Sequence, residues 1–313
     1  MRSFQLDMLR IYTHAECLEH QVPGSHPERP ARLAHLIKHL ERTGFARDYP
    51  LRVAPDIEQA RIAAAHDASL MHRLSERLPE DGLTPLDPDT WLSPNSLAAA
   101  RHAAGAVWQG ALDVVAGEVD RVFCAVRPPG HHAESASPMG FCLLNSIAIA
   151  AINALTLPGI TRVAVLDFDV HHGNGTVEMC RSYPDILVCS SFQHPFYPGR
   201  YDDLIQPNIV NTPLDAGISG DTFRRALTKS WWSAIESHRP DLILISAGFD
   251  GHRDDPLANW NLDDDDYAWV TGEIVALAEQ YACGRIVSVL EGGYDLEALA
   301  RSAMAHLSSL ASA

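Results

Sequence analysis

The sequence predicts an α/β protein built on a doubly wound, mostly parallel sheet with helices on both faces. Short apolar runs alternate with helical stretches from Leu9 to the C-terminus, and that alternation produces parallel strands joined by covering crossovers. The run Val163 to Leu166 is apolar on consecutive residues and rich in β-branched side chains, as a strand covered on both faces should be. Four of the predicted strands run out into glycine-flanked polar clusters, and in such sheets ligands bind outside the carboxyl ends of the strands.

The elements follow in order. Residues 9–12 read as a first strand, and the polar loop Ser25-His26-Pro27-Glu28-Arg29-Pro30 leads into a helix over 31–43, with Pro30 suited to its start. Residues 60–78 are helical in composition, 79–88 form a Pro/Gly/Asp loop that could border a pocket, and 97–116 is an Ala-rich helix. The strand 122–126 ends in Arg127-Pro128-Pro129-Gly130-His131-His132, and a helix over 147–155 precedes the strand at 163. A strand over 186–190 leads into the loop 192–199, and a helix over 222–237 follows. The strand 242–246 ends in Ala247-Gly248-Phe249-Asp250. After a helix over 265–281, the strand 286–290 ends in Glu291-Gly292-Gly293-Tyr294, and a C-terminal helix closes the chain. No linker, repeat or low-complexity segment interrupts the 313 residues, so one domain over 1–313 is expected.

Composition narrows the function. A net charge of -16 with no basic run excludes general nucleic-acid binding. The N-terminus lacks an apolar leader and no run approaches a membrane span, so a cytoplasmic protein away from membranes is expected. Six scattered cysteines without a CxxC pair read mostly as reduced core residues.

The chemistry concentrates in RVAVLDFDVHHGNGT, residues 162–176. Strand alternation would put Asp167, Asp169 and His171 on one face and Leu166, Phe168 and Val170 on the other. A lone Asp-x-His is most simply a solvated strand end, but buried carboxylates need a cationic partner, and three more clusters fall at equivalent places. Asp169, His171 and Asp250 offer two oxygens and a nitrogen, the three-ligand set that leaves a catalytic zinc an open position. His131 and His132 supply imidazoles for proton transfer near neutral pH, and Tyr294 can donate a hydrogen bond to a developing oxyanion. Together they point to metal-assisted hydrolysis of an acyl bond, with one histidine taking the proton of the attacking water.

The motifs RPPGHH, DFDVHHGNGT, SAGFDGHRDDPL and LEGGYDL resemble those of the zinc-dependent histone deacetylase superfamily, from HPERPARL to nearly the end of the chain. The resemblance implies the arginase/deacetylase fold, with one catalytic Zn2+ on Asp169, His171 and Asp250. It implies His132 as general base, His131 as electrostatic partner, Tyr294 as the carbonyl-polarising group, and Asp167 and Asn174 as orienting partners of His131 and His132. The HHGNG spelling, with Asn174 in place of an aspartate, is similar to the class II branch and argues against a strongly raised pKa at His132. By the same resemblance Gly140, Phe141 and Phe196 wall an acyl-lysine tunnel, Arg32 lines a channel for acetate, and Asp87 or Asp89 contacts substrate backbone at the rim. A structural K+ is implied near the main-chain oxygens of Asp167, Asp169 and His171 and the Ser190 hydroxyl. Leu262 is expected as gatekeeper at the tunnel mouth, where polyamine-selecting members are similar except for a glutamate. The resemblance therefore implies an acyl-lysine peptide or protein, or a small acylated amine, as substrate, and a homo-oligomer is compatible with it.

Three alternatives share the fold. An acetylpolyamine amidohydrolase would want the glutamate that Leu262 replaces. A ureohydrolase with two manganese ions would need further carboxylates where Gly173 and Gly248 stand. A non-catalytic acyl-binding relative would be expected to lose Tyr294 or a histidine, and all are present.

Overall fold

The computed structural model describes residues 7–312. The strands are β1 Asp7–Thr13, β2 Leu51–Val53, β3 Thr84–Pro85, β4 Trp91–Leu92, β5 Val119–Cys124, β6 Val163–Asp167, β7 Ile186–Gln193, β8 Ile209–Leu214, β9 Leu242–Ala247 and β10 Ile286–Leu290. Eight of them form one sheet in the order β2-β1-β5-β10-β9-β6-β7-β8, while β3 and β4 make a separate antiparallel pair. Every pairing in the large sheet is parallel, as the alternation of elements demands.

The strand order places β5, β10, β9 and β6 side by side at the centre. These are the four strands whose ends carry the polar clusters, and their ends are level: Asp167 pairs with Ser246, Ala247 with Leu290 and Val289 with Cys124. The loops that follow are therefore forced together. Beneath them Val122, Val165, Leu244 and Val287 are fully buried, sandwiched by helices that include the Ala-rich Ser96–Ala116 and the wholly buried Ser146–Ala154.

The differences from the sequence reading lie mostly at the margins. β2 and β8 are the two edge strands and were not legible. An edge strand is covered less fully, so β8 keeps Asn211 and even Pro213, which an interior ladder would not accept. The single helix expected over 60–78 is two, Gln59–Ala63 and Leu70–Glu76, with His66 between them turned into the interior. His66 Nδ1 donates to the Glu134 and Ser135 carbonyls and its Nε2 accepts from the Asn145 N–H, tertiary bonds that override local helix propensity. The Gly-rich segment after His172 is not only a turn, since a helix runs over Asn174–Cys180. The six cysteines are unpaired and all but Cys283 are buried. Among the described residues no helix is long and apolar enough to cross a membrane.

Candidate active site

β6 ends at Asp167, so strand alternation does not place Asp169 and His171; a bend does. The Asp169 N–H donates to Asp167 Oδ1 (3.1 Å) and the His171 N–H to Asp169 Oδ1 (2.8 Å), each carboxylate capping the backbone two residues on. The end of β9 joins through the Val170 N–H, which donates to Asp250 Oδ1 (3.1 Å), and the end of β10 through the Gly292 N–H, which donates to Asp169 Oδ2 (2.8 Å). His171 Nδ1 comes to rest 3.1 Å from both Asp169 Oδ1 and Asp250 Oδ2. One donor atom from each of the three residues lies within 4.8 Å of the others.

The chemistry of this donor set fits a divalent cation. Burial disfavours a charged imidazole, yet the two carboxylates push His171 up to about 10. Surroundings that pull a proton onto a nitrogen between two buried carboxylates pull equally on a metal ion. Two oxygens and one nitrogen leave coordination positions for water and substrate. The positions that a second metal would need are closed. A Cβ at Gly173 would collide with Asp167 Oδ2, and one at Gly248 with the Asp169 carboxylate, so no ligand side chain can stand at either without rebuilding the first site.

His131 and His132 follow β5, their ring centroids 4.0 Å apart, but their environments drive them in opposite directions. Burial lowers both. At His131 it is outweighed by Asp167, whose Oδ2 lies 3.0 Å from Nδ1, and by Asp169, so its pKa is raised well above the usual value. At His132 burial is reinforced by the charges on His131 and His171, and the pKa falls well below 6.5. His132 Nδ1 lies 2.7 Å from Asn174 Oδ1, an acceptor, so Nδ1 carries the proton and Nε2 is left as the basic nitrogen. The surroundings thus favour the cation at His131 and the neutral ring at His132.

Tyr294 stands on a turn gripped from two sides. The carboxylate of Asp255 accepts from the Tyr294 N–H (2.6 Å) and the Asp295 N–H (3.3 Å). Arg32, expected at an acetate channel, is fully buried, and its three nitrogens donate to Gly293 O (2.5 Å), Glu291 O (2.6 Å) and Glu28 Oε1 (3.1 Å). Its guanidinium lies 4.7 Å from the centroid of the Tyr294 ring. These contacts make it a support for the Tyr294 turn. Glu28 also takes a bidentate pair from Arg127 at 2.7 Å, and Glu291 accepts from the Gly130 and His131 N–H groups, so the loops after β10 and β5 are cross-braced. Sequence reading did not single out Glu28, Asp255 or Glu291. The signal available was that each acid sits inside HPERP, DDPL or LEGGY, beside residues that were named.

With the site in place, its kinship can be stated. The Histone deacetylase domain model matches residues 26–310. The chain belongs to the histone deacetylase family. It is 39% identical over 310 residues to an uncharacterized protein of Synechocystis, covering 97% of this chain and 99% of that one. It is 35% identical over 279 residues to a histone deacetylase-like amidohydrolase of Pseudomonas aeruginosa, covering 87% and 73% of the two chains. The crystal structure of the HDA15 HD domain superimposes with a TM-score of 0.92 at 31% identity, over 98% of this chain and 88% of that one. Fold and amidohydrolase family therefore stand together.

In this histone deacetylase-family chain a cavity of about 90 Å3 reaches the site. It is lined by Asp89, His132, Gly140, Phe141, His171, Tyr197, Leu257 and Tyr294. Gly140 and Phe141 both line this cavity, and Gly140 is required by close approach, since a Cβ there would lie 2.6 Å from His132 Cδ2. Phe196, expected on the tunnel wall, instead stacks on the His171 ring at 5.2 Å, and its neighbour Tyr197 lines the cavity. Of the two rim acids Asp89 lines the cavity, while Asp87 folds back to cap the Asp89 and Thr90 N–H groups. The gatekeeper expectation for Leu262 is corrected. Leu262 is fully buried, its main chain bridged to Arg253 and Gly251, and the leucine on the cavity wall is Leu257. The turn at Asp255-Pro256-Leu257, fixed by the Asp255 grip on Leu257 N–H and Tyr294 N–H, faces the site before the chain reaches Trp260.

Proposed function

We propose that this chain is a zinc-dependent deacetylase that hydrolyses the amide of an N-acetyl-lysine side chain in a peptide or protein and releases acetate. One observation carries the reading: the His132 imidazole, its Nδ1 2.7 Å from Asn174 Oδ1, shares the cavity wall with His171 and Tyr294. A zinc ion held by Asp169, His171 and Asp250 would polarise the acyl carbonyl and acidify the attacking water.

The chain's own residues then have separable tasks. His132 Nε2 accepts the proton of the water as it attacks and returns it to the departing lysine amine. His131, kept cationic by Asp167, faces the growing negative charge and does not compete for that proton. The Tyr294 hydroxyl donates to the carbonyl oxygen as it becomes anionic. Gly140, Phe141 and Tyr197 enclose the methylene chain and keep water out, while Asp89 is placed to accept from a substrate N–H at the mouth. A structural K+ near the main-chain oxygens of Asp167, Asp169 and His171 and the buried Ser190 hydroxyl belongs to the same proposal.

Substrate choice turns on Leu257. Facing an apolar wall, the secondary ammonium of an acetylpolyamine loses a charge-assisted hydrogen bond, a penalty of about 1.5 to 3 kcal/mol or tenfold to a hundredfold in kcat/KM. Acetylpolyamine hydrolysis is the second reading, favoured by the single carboxylate of Asp89 on the same cavity. Kinetics of the zinc-loaded protein on an acetyl-lysine peptide and on acetylspermidine decide between them. A higher kcat/KM for the peptide, with Leu257→Glu shifting preference toward the polyamine, is expected; wild-type preference for acetylspermidine overturns the acyl-lysine assignment.

A further inference from the structure

A buried carboxylate with no role described so far stands behind the asparagine that faces His132. Glu134, two residues after the base, sends Oε1 to within 2.8 Å of Asn174 Nδ2 and Oε2 to within 2.9 Å of Arg200 Nη2. Asn174 Nδ2 also points at the His132 carbonyl (3.3 Å) and Met139 Sδ (3.3 Å), while Asn174 Oδ1 faces His132 Nδ1 at 2.7 Å. The Glu134 side chain is only 9% exposed and its main chain is pinned by a turn to Ser137 and by His66, so the carboxylate cannot easily swing away.

An amide is nearly symmetric in shape but not in polarity. A carboxylate paired with a guanidinium can only accept, so it must face the NH2 end of Asn174; with the amide reversed, two acceptors would oppose each other. The NH2 end being fixed, the oxygen end is presented to His132, and Nδ1 must be the protonated nitrogen. Were the amide reversed, its NH2 would face Nδ1, the imidazole proton would move to Nε2, and the nitrogen on the cavity side would have no lone pair for a water's proton.

We infer that Glu134 is a positioning residue for the base: through Asn174 it sets the His132 tautomer and keeps Nε2 free. Arg200 pairs with the other oxygen from the loop after Tyr197 and is half-exposed, so it anchors that loop to Glu134 without touching the Asn174 bond. An aspartate in the place of Asn174 would present an oxygen in either orientation and need no such partner. The asparagine spelling of HHGNG is what gives Glu134, the shortest of the three acceptor contacts at Nδ2, this role.

The kinetic part of this inference rests on the amidohydrolase reading, whereas the tautomer part holds whether or not the protein turns over. The test compares Glu134→Ala, Glu134→Gln and Arg200→Ala in the full chain loaded with zinc, using two-bond 1H–15N spectra of histidine-labelled protein and steady-state kinetics on an acetyl-lysine peptide. Glu134→Ala should bring His132 into a mixture of tautomers and lower kcat by on the order of tenfold or more with KM little changed. Glu134→Gln, whose amide oxygen can still accept from Asn174, should restore the single Nδ1–H tautomer and most of kcat. Arg200→Ala, which removes the outer ion pair and the Arg200 contacts to Met139 Sδ and the Tyr201 ring but no bond to Asn174, should leave the His132 spectrum and kcat as in the wild type. Should Glu134→Ala fold poorly, Glu134→Leu, which fills the space but offers the amide no acceptor, carries the same expectation. A single unchanged tautomer in Glu134→Ala overturns the inference, as does a loss of kcat in Arg200→Ala equal to that in Glu134→Ala, which would make loop anchoring the role of Glu134. If no variant or wild type turns over the peptide, the tautomer spectra still decide the inference, and it is the substrate reading that fails.

Discussion

Adding one methyl group at Gly248 should empty the metal site while leaving the fold standing. A Cβ built there lies 2.5 Å from Asp169 Cβ and closer still to the Asp169 carboxylate, whereas carbon atoms pack comfortably at about 3.5 to 4.0 Å. Something must therefore give by about 1 Å or more. The backbone around Gly248 is held from both sides, since the Phe249 N–H donates to Gly292 O (3.0 Å) and the Glu291 N–H to Ala247 O (2.9 Å). The Asp169 side chain is the softer partner, and displacing it removes one of the three proposed metal ligands and breaks its bond from the Gly292 N–H. Overpacking of this kind costs about 1 to 3 kcal/mol, a few degrees of Tm for a domain of this size. The metal penalty is larger, because losing the position of a ligand costs more than the tenfold to hundredfold typical of changes to the groups around it. Zinc affinity by chelator competition, with a thermal melt as the control for folding, measures both. We expect Gly248→Ala to melt within several degrees of the wild type while losing zinc affinity by a hundredfold or more. Wild-type zinc affinity in a folded Gly248→Ala protein would refute the claim that Asp169 is packed against Gly248 and that the second-metal position is closed.

Three further outcomes are expected. Asp250→Ala leaves His171 with a single carboxylate neighbour and should release the metal and abolish turnover, checked by metal analysis beside activity. Tyr294→Phe removes one hydroxyl from a turn that Arg32 and Asp255 continue to hold, so kcat should fall on the order of a hundredfold with zinc content and Tm unchanged; near-normal kcat would remove the hydroxyl from the mechanism. Glu28 is fully buried; burial alone would raise its pKa, but Arg127 and Arg32 outweigh burial and hold it at about 2 against an ordinary 4.5. A depressed folded pKa contributes stability that is complete above pH 4.5 and lost as pH falls toward 2. Glu28→Gln should therefore cost about 3 to 5 kcal/mol in urea unfolding at pH 7, by leaving two guanidinium groups short of a partner, and the gap from wild type should narrow below pH 4.5; a pH-independent difference would contradict the pairing.

How much of this was legible in the sequence follows from where each signal resides. The four central strands are covered on both faces, so each must be a continuous apolar run, and their order of appearance with intervening helices already implies a parallel sheet. The chemical residues sit at strand ends beside glycines, positions that sequence marks plainly, and Asp169, His171, Asp250, His131, His132 and Tyr294 are brought together as expected. Edge strands β2 and β8 carry no such mark because less of their surface is covered. The supports were hidden for a different reason. Glu28, Asp255, Glu291 and Glu134 act through hydrogen bonds from guanidinium, backbone or amide groups 39 to 161 residues away in the chain, and an acid in a loop looks the same in sequence whether it is solvated or buried against an N–H. The gatekeeper shows the limit most clearly. Leu257 and Leu262 are both leucines in one loop, equal in composition and pattern. Only the grip of Asp255 on the Leu257 and Tyr294 amides turns one toward the cavity, and the packing of the chain beyond buries the other. Residue type and period thus determine which chemistry the chain can hold, while the direction a loop side chain faces depends on contacts made across the whole fold.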